Sequence, residues 1–324
     1  MFDINSLFAK RLLLVTGKGG VGKTLVAAAL AQRAAAAGRK VLLVESSARD
    51  QIAPLFGRAP VGHVETALGG GIACINLNAS GNFREYVTKY LGQKVLFENV
   101  FSHRVVKSFF NTIPGLAEVM LLGRLYYTCE LAAGRPDLVI VDSFASGHFL
   151  SLMTTPDAIL TSGLAGPMVK DTRRVRDFLG EKSKCGIVVV ATAEPLVVSE
   201  TLDFLPRLAA EAPPPLSALV VNRCLSVQNI SGKNSRSGKA RAASSSAKES
   251  YVDAAVARCH SALATLGERM GQMSSEVAAL PAVAVPELGF IDDPLAHDLH
   301  TSLLPMRPFD ASAERLSLGM EAQS

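Results

Sequence analysis

Near the amino terminus the run Gly17-Lys18-Gly19-Gly20-Val21-Gly22-Lys23-Thr24-Leu25 sets glycines, two ammonium groups and a hydroxyl at fixed offsets. These residue types suit one kind of chemistry. Glycines let successive backbone N–H groups turn onto phosphate oxygens, the Lys23 ammonium neutralises β and γ phosphates, and the Thr24 hydroxyl can ligate Mg²⁺. The apolar run from Leu12 to Val15 precedes the loop and an alanine-rich helical stretch follows it. That placement between strand and helix aims the helix N-terminus at an anion. Gly19, Gly20, Val21, Gly22, Lys23, Thr24 and Leu25 are the expected nucleotide cradle, and a nucleoside triphosphate with Mg²⁺ is the expected ligand. Gly17, Gly19 and Gly22 also satisfy the dinucleotide pattern, with Glu45 as its distant acid. Lys23 and Thr24 decide for the triphosphate, because a dinucleotide loop needs neither an ammonium nor a metal-binding hydroxyl.

Such a loop needs a carboxylate at a neighbouring strand end to hold the metal, and Asp142, after Leu138-Val139-Ile140-Val141, is the candidate; its alternative role is a helix cap. Thr24 and Asp142 are thus the expected metal residues. The small, glycine-containing stretch from Ser143 to His148 suits a switch that senses the γ-phosphate. Lys23 already serves the phosphates, so Lys18 is free to point elsewhere, either as a simple surface charge or toward another molecule.

The elements that position these residues follow from hydrophobic patterning. Short apolar runs recur at Leu12 to Val15, Val41 to Val44, Ile72 to Leu77, Leu138 to Val141, Ile187 to Ala191, Leu219 to Val221 and Ala282 to Val285, with helical stretches between them. Repeated strand–helix units predict an α/β fold: a mostly parallel sheet with helices on both faces. Residues 82–134 are too long for one crossover and predict an inserted helical subdomain, opening at Asn82 with Glu85 as a capping box. Within it Leu116, Met120, Leu121, Leu125 and Tyr126 form an apolar stripe, read either as core or as a groove for a partner helix. Residues 226–247 are rich in Ser, Gly, Lys and Arg and predict a flexible basic insertion, and 310–324 a flexible tail, on an otherwise single domain spanning 1–324.

Composition narrows the class further. The 324 residues are 48% hydrophobic with net charge +4, enough apolar content for a large core. No window approaches the roughly 18 uninterrupted apolar residues of a membrane span, and the first residues lack a signal-peptide pattern. A cytoplasmic protein that is not integral to a membrane is expected. Five scattered cysteines show no Cys-x-x-Cys spacing and read as reduced and buried. With no Trp and five Tyr, nucleic acid is not the expected partner.

Taken together, these motifs resemble the deviant P-loop ATPases, and within them the branch of ArsA and the tail-anchored-protein targeting ATPases, in particular its bacterial anion-transporting ATPase-like members. The residues that carry the resemblance are Gly17 to Thr24; Asp142 to His148, similar to a D-T-A-P-T-G-H element; Thr192-Ala193-Glu194-Pro195-Leu196 with Glu200-Thr201, similar to T-P-E-P-L…E-T; Val221-Asn222-Arg223; and Val285-Pro286-Glu287-Leu288. The resemblance implies a P-loop NTPase fold and a Mg²⁺-dependent ATPase that dimerises around ATP, with itself or with a paralogue. It implies that Lys18 reaches the partner's nucleotide, that Asn222 bonds adenine and Pro286 packs against it, and that the helical subdomain meets an unidentified protein client or membrane partner.

Two departures stand out. Ser47 occupies the place of the family's switch Asp, so slow hydrolysis is expected, with Glu45 as the preferred acidic residue and Asp50 as a further one. Ala145 replaces the proline of the second switch. Lys18, Glu45, Ser47 and Asp142 are therefore the expected catalytic set. The alternative is an ATP-dependent positional or scaffold switch in the manner of MinD and ParA, with little or no hydrolysis.

Overall fold

The computed structural model describes residues 4–47, 50–77, 81–82, 115–163, 166–224, 245–286 and 307–308. Helix α1 (Asn5–Phe8) leads into strand β1 (Leu12–Gly17), α2 (Lys23–Ala36), β2 (Val41–Glu45) and the single-turn α3 (Ile52–Leu55). Strands β3 (Thr66–Gly69) and β4 (Ile72–Asn76) follow, and then α4 (Leu116–Tyr126), which runs into a π-helical turn at Tyr127–Leu131. Next come β5 (Leu138–Ala145), α5 (Ser146–Thr161), α6 (Pro167–Leu179), β6 (Cys185–Thr192), α7 (Pro195–Glu211) and β7 (Leu216–Cys224). The described chain closes with α8 (Ser245–Gly271), α9 (Ser275–Ala278), β8 (Ala282–Pro286) and β9 (Arg307–Pro308).

The strands form one sheet in the order β3-β4-β2-β5-β1-β6-β7-β8-β9. Pairing is parallel except at the two margins, β3 with β4 and β8 with β9. Every residue of β1, β2 and β6 is buried, as a sheet covered on both faces requires. All seven apolar runs of the sequence are strands, and the α/β expectation holds. The two antiparallel margins are additions to it.

Strand β1 is flanked by β5 on one side and β6 on the other, so the connections leaving its carboxyl end diverge. In open parallel sheets that divergence is where a crevice forms and ligands bind. Helix α2 lies over β1, β2 and β5 with Ala27, Ala28, Ala29, Ala31 and Ala34 buried, small side chains that let helix and sheet approach closely.

Helix α4 contributes Leu121, Leu122 and Leu125 to the main core and packs against α5 and α6. Its stripe is therefore core, not an open groove. Arg11 secures the π turn from the sheet, donating from Nη2 to the Cys129 carbonyl at 2.7 Å and from Nη1 to that of Asp137 at 2.8 Å. Gly81 and Asn82 are both already helical, so that helix starts upstream of Asn82. The rest of the expected subdomain, residues 83–114 with Glu85, lies outside the described residues, as do 225–244 and 309–324. Ser245 to Ala247, read as part of the flexible insertion, belong to α8.

Candidate nucleotide-binding site

The loop between β1 and α2 is built by local chemistry. Gly17 has φ +147°, and a Cβ there would overlap the Val190 carbonyl oxygen on β6. Gly22, the residue before α2, has φ +91°, and a Cβ there would overlap Nδ2 of Asn222. Only glycine meets both demands, for positive φ and for space. Gly19 and Gly20 are exposed at the mouth of the loop, and Val21 is buried as its anchor. Leu25 packs against the core from the first turn of α2.

Asn222, 4% exposed, donates from Nδ2 to the Val21 carbonyl at 2.9 Å. It thus braces the loop from β7, a contribution that the strand-end position alone does not reveal. Pro286 pairs in register with Cys224, which places it on the same strand-end edge.

Thr24 and Asp142 meet directly, Oγ1 donating to Oδ2 at 2.6 Å. The register explains it, because Asp142 lies level with Val15 of β1, one strand away from the loop. Burial pushes the Asp142 carboxyl above the usual carboxylate range, opposed by the Thr24 hydrogen bond and the Lys23 charge. Its other oxygen, Oδ1, is buried without a hydrogen-bond partner. A buried carboxylate oxygen beside a threonine hydroxyl is a hard, anionic oxygen pair that suits Mg²⁺. Lys23 donates from Nζ to the Lys18 carbonyl at 3.1 Å, and burial lowers its pKa against the pull of Asp142.

Lys18 turns away from Lys23 and pairs with Glu200 on α7, Nζ to Oε1 at 2.7 Å, with the two side chains 33% and 46% exposed. Glu45 faces the other way. It is 3% exposed, and its oxygens accept from the N–H groups of Gln51 at 3.0 Å and Ile52 at 3.1 Å. Burial raises its pKa, those N–H groups lower it, and the charges of Asp50 and Asp142 raise it further. Ser47 follows on the same edge, its backbone held by Asn76. The structure therefore brings Lys23, Thr24, Asp142 and Asn222 around the loop and sets Lys18 and Glu45 into pairings of their own. His148 stacks on Phe144 with ring centroids 4.1 Å apart and lies 3.7 Å from Glu118 of α4.

All five cysteines are buried. Burial pushes Cys74 up to about 11 and Cys129 up to about 12, so both stay protonated at neutral pH and are poor metal ligands. Among the described residues no group of three His, Cys, Asp or Glu could hold a metal ion, and no helix is long and apolar enough to cross a membrane.

A parallel sheet whose central strand opens into a Gly-Lys-Thr loop at a helix N-terminus, faced by a strand-end aspartate, defines a P-loop NTPase. Residues 10–166 match the family described as anion-transporting ATPase. ATPase BagA of Mycobacterium tuberculosis is 31% identical over 222 residues, covering 66% of this chain and 65% of that protein. A protein of Prosthecochloris vibrioformis, provisionally named an arsenical pump-driving ATPase, is 24% identical over 261 residues, covering 68% of this chain and 63% of its own. Over these stretches the chain is similar to ArsA-type P-loop ATPases, and it spans just under two thirds of the length of these relatives.

Proposed function

We propose that this chain is a Mg²⁺-dependent ATPase that dimerises around ATP and couples binding and hydrolysis to a client or partner surface on its helical segment. The observation that carries the reading is the Thr24–Asp142 contact at 2.6 Å beside Lys23, at the N-terminus of α2. The loop's N–H groups and Lys23 bind the triphosphate, and Thr24 and Asp142 hold the metal. Mg²⁺ bound there would neutralise charge on the phosphate oxygens. Water attacks the γ-phosphorus, the new P–O bond forms as the bond to the bridging oxygen breaks, and ADP leaves with the electron pair.

Lys18 is the residue assigned to the partner's nucleotide. Its pairing with Glu200 is half exposed, a class of ion pair worth about 0–1 kcal/mol. A triphosphate presented by a second copy therefore outbids it easily. A cation supplied in trans at that point adds about 10³ to 10⁵ in rate.

The second reading is an ATP-dependent scaffold with little turnover. It is favoured by one observation, that both oxygens of Glu45 are committed to N–H groups of the turn after β2. Phosphate release from wild type and Lys18→Ala separates the two. The ATPase reading expects a fall of about 10³-fold or more with Mg·ATP binding retained, whereas equal, near-zero release from both proteins supports the scaffold.

A further inference from the structure

Asn76 is a buried amide, 6% exposed, at the end of a strand otherwise made of Ile72, Ala73, Cys74 and Ile75. A buried amide without partners would cost stability, and this one finds its partners in a single place, the turn after β2. Its Nδ2 donates to the Ser47 carbonyl at 3.0 Å and to Oδ1 of Asp50. Its Oδ1 accepts from the Ser47 N–H at 3.4 Å. The side chain thus offers Ser47 both a donor and an acceptor, as a neighbouring strand would, and extends the β2–β4 pairing beyond its last pair, Glu45 with Asn76.

The contacts close into a ring. Asp50 Oδ2 accepts from the Gly62 N–H at 2.8 Å, and the Gly62 carbonyl accepts from the Asn76 N–H at 2.8 Å. Both described flanks of the turn, Ser47 and Asp50, are therefore tied to β4, and none of these bonds involves the phosphate loop. Yet the turn emerges beside that loop. Glu45 is level with Asp142 on β5, and Asp142 is level with Val15 on β1, so the chain beyond Glu45 leaves the sheet at the edge where Thr24 meets Asp142.

We propose that Asn76 is a positioning residue for phosphoryl transfer: it touches no nucleotide but holds Ser47 and Asp50 in place beside the phosphate loop, so that loss of its amide slows turnover and leaves nucleotide binding intact. The inference rests on the ATPase reading above. It adds a residue that the chemistry-bearing motifs do not contain. A displacement of about 1 Å at a reacting centre can cost up to about 10²-fold in rate, which sets the scale of the effect.

The test compares wild type with Asn76→Ala, Asn76→Asp and the double variant Asn76→Asp with Asp50→Asn. Three quantities are measured: amide hydrogen exchange at Ser47 and Gly62, Mg·ATP affinity by calorimetry, and steady-state phosphate release. Asn76→Ala is expected to speed exchange at both amides and to lower kcat by about 10- to 100-fold with KM and ATP affinity unchanged. Asn76→Asp sets a second carboxylate against Asp50 and is expected to lose at least as much. The double variant restores one donor facing one acceptor and is expected to recover part of kcat. Unchanged exchange overturns the proposal, as does faster exchange with unchanged kcat, or a fall in ATP affinity that matches the fall in kcat. A wild type that binds Mg·ATP without releasing phosphate overturns the ATPase reading itself, and turnover that is indifferent to Asn76 overturns this inference alone.

Discussion

Asp142 shows how the site holds charge before any ligand arrives. Its carboxylate is buried, which raises its pKa, and only the Thr24 hydroxyl and the Lys23 ammonium offset that penalty. A carboxyl whose pKa is higher in the folded chain favours folding most when protonated, and that contribution is lost as pH rises through the folded pKa. Above that folded pKa the ligand-free protein therefore carries the cost of the buried charge. Asp142→Asn should raise the thermal midpoint of the ligand-free protein at pH values above the folded pKa of Asp142, and the gain should shrink as pH falls through it. The same variant should lose the stabilisation that Mg·ATP gives the wild type. Differential scanning calorimetry across pH, with and without Mg·ATP, checks both. Lys18 and Glu45 show the converse, since each has satisfied its charge or its oxygens away from the loop. If they act in catalysis, they must first give up those partners.

Helices and strands set these residues in place, and much of that scaffold was legible in advance. Runs such as Leu12 to Val15 and Val41 to Val44 announce buried parallel strands because both faces of the sheet are covered. Four-residue β3 and two-residue β9 could not be read, because such short antiparallel margins carry no periodicity. The Gly-Lys-Thr loop and Asp142 were visible because their chemistry demands particular residue types at particular spacings. Asn76 was not, because a polar residue closing an apolar run signals nothing until β2 and β4 are known to pair. Nor did any local pattern show Arg11 reaching Cys129, 118 positions away, to secure the π turn. Helix α4 is the element most dependent on packing. Leu125 is 1% exposed within the main core. Leu125→Ala should lower unfolding free energy by about 2–5 kcal/mol, measured by urea denaturation, while a mere surface stripe would show almost no change.

Across the whole molecule the sheet divides labour about β1. One side carries β5, β2 and β4 with Asp142, Glu45 and Asn76, and the other carries β6 and β7 with Asn222 and leads to Glu200 on α7. The phosphate loop sits at the divide, which is why groups from both halves converge on it. His148 and Glu118 lie 3.7 Å apart, which brings the stretch after Asp142 next to α4. All of this depends on the loop accepting a triphosphate with its metal. Titration calorimetry of Mg·ATP into the wild type and Lys23→Ala tests that most directly. The account predicts saturable heat with the wild type and its loss in Lys23→Ala; a wild type that gives no heat, or an Lys23→Ala variant that binds equally well, would contradict it.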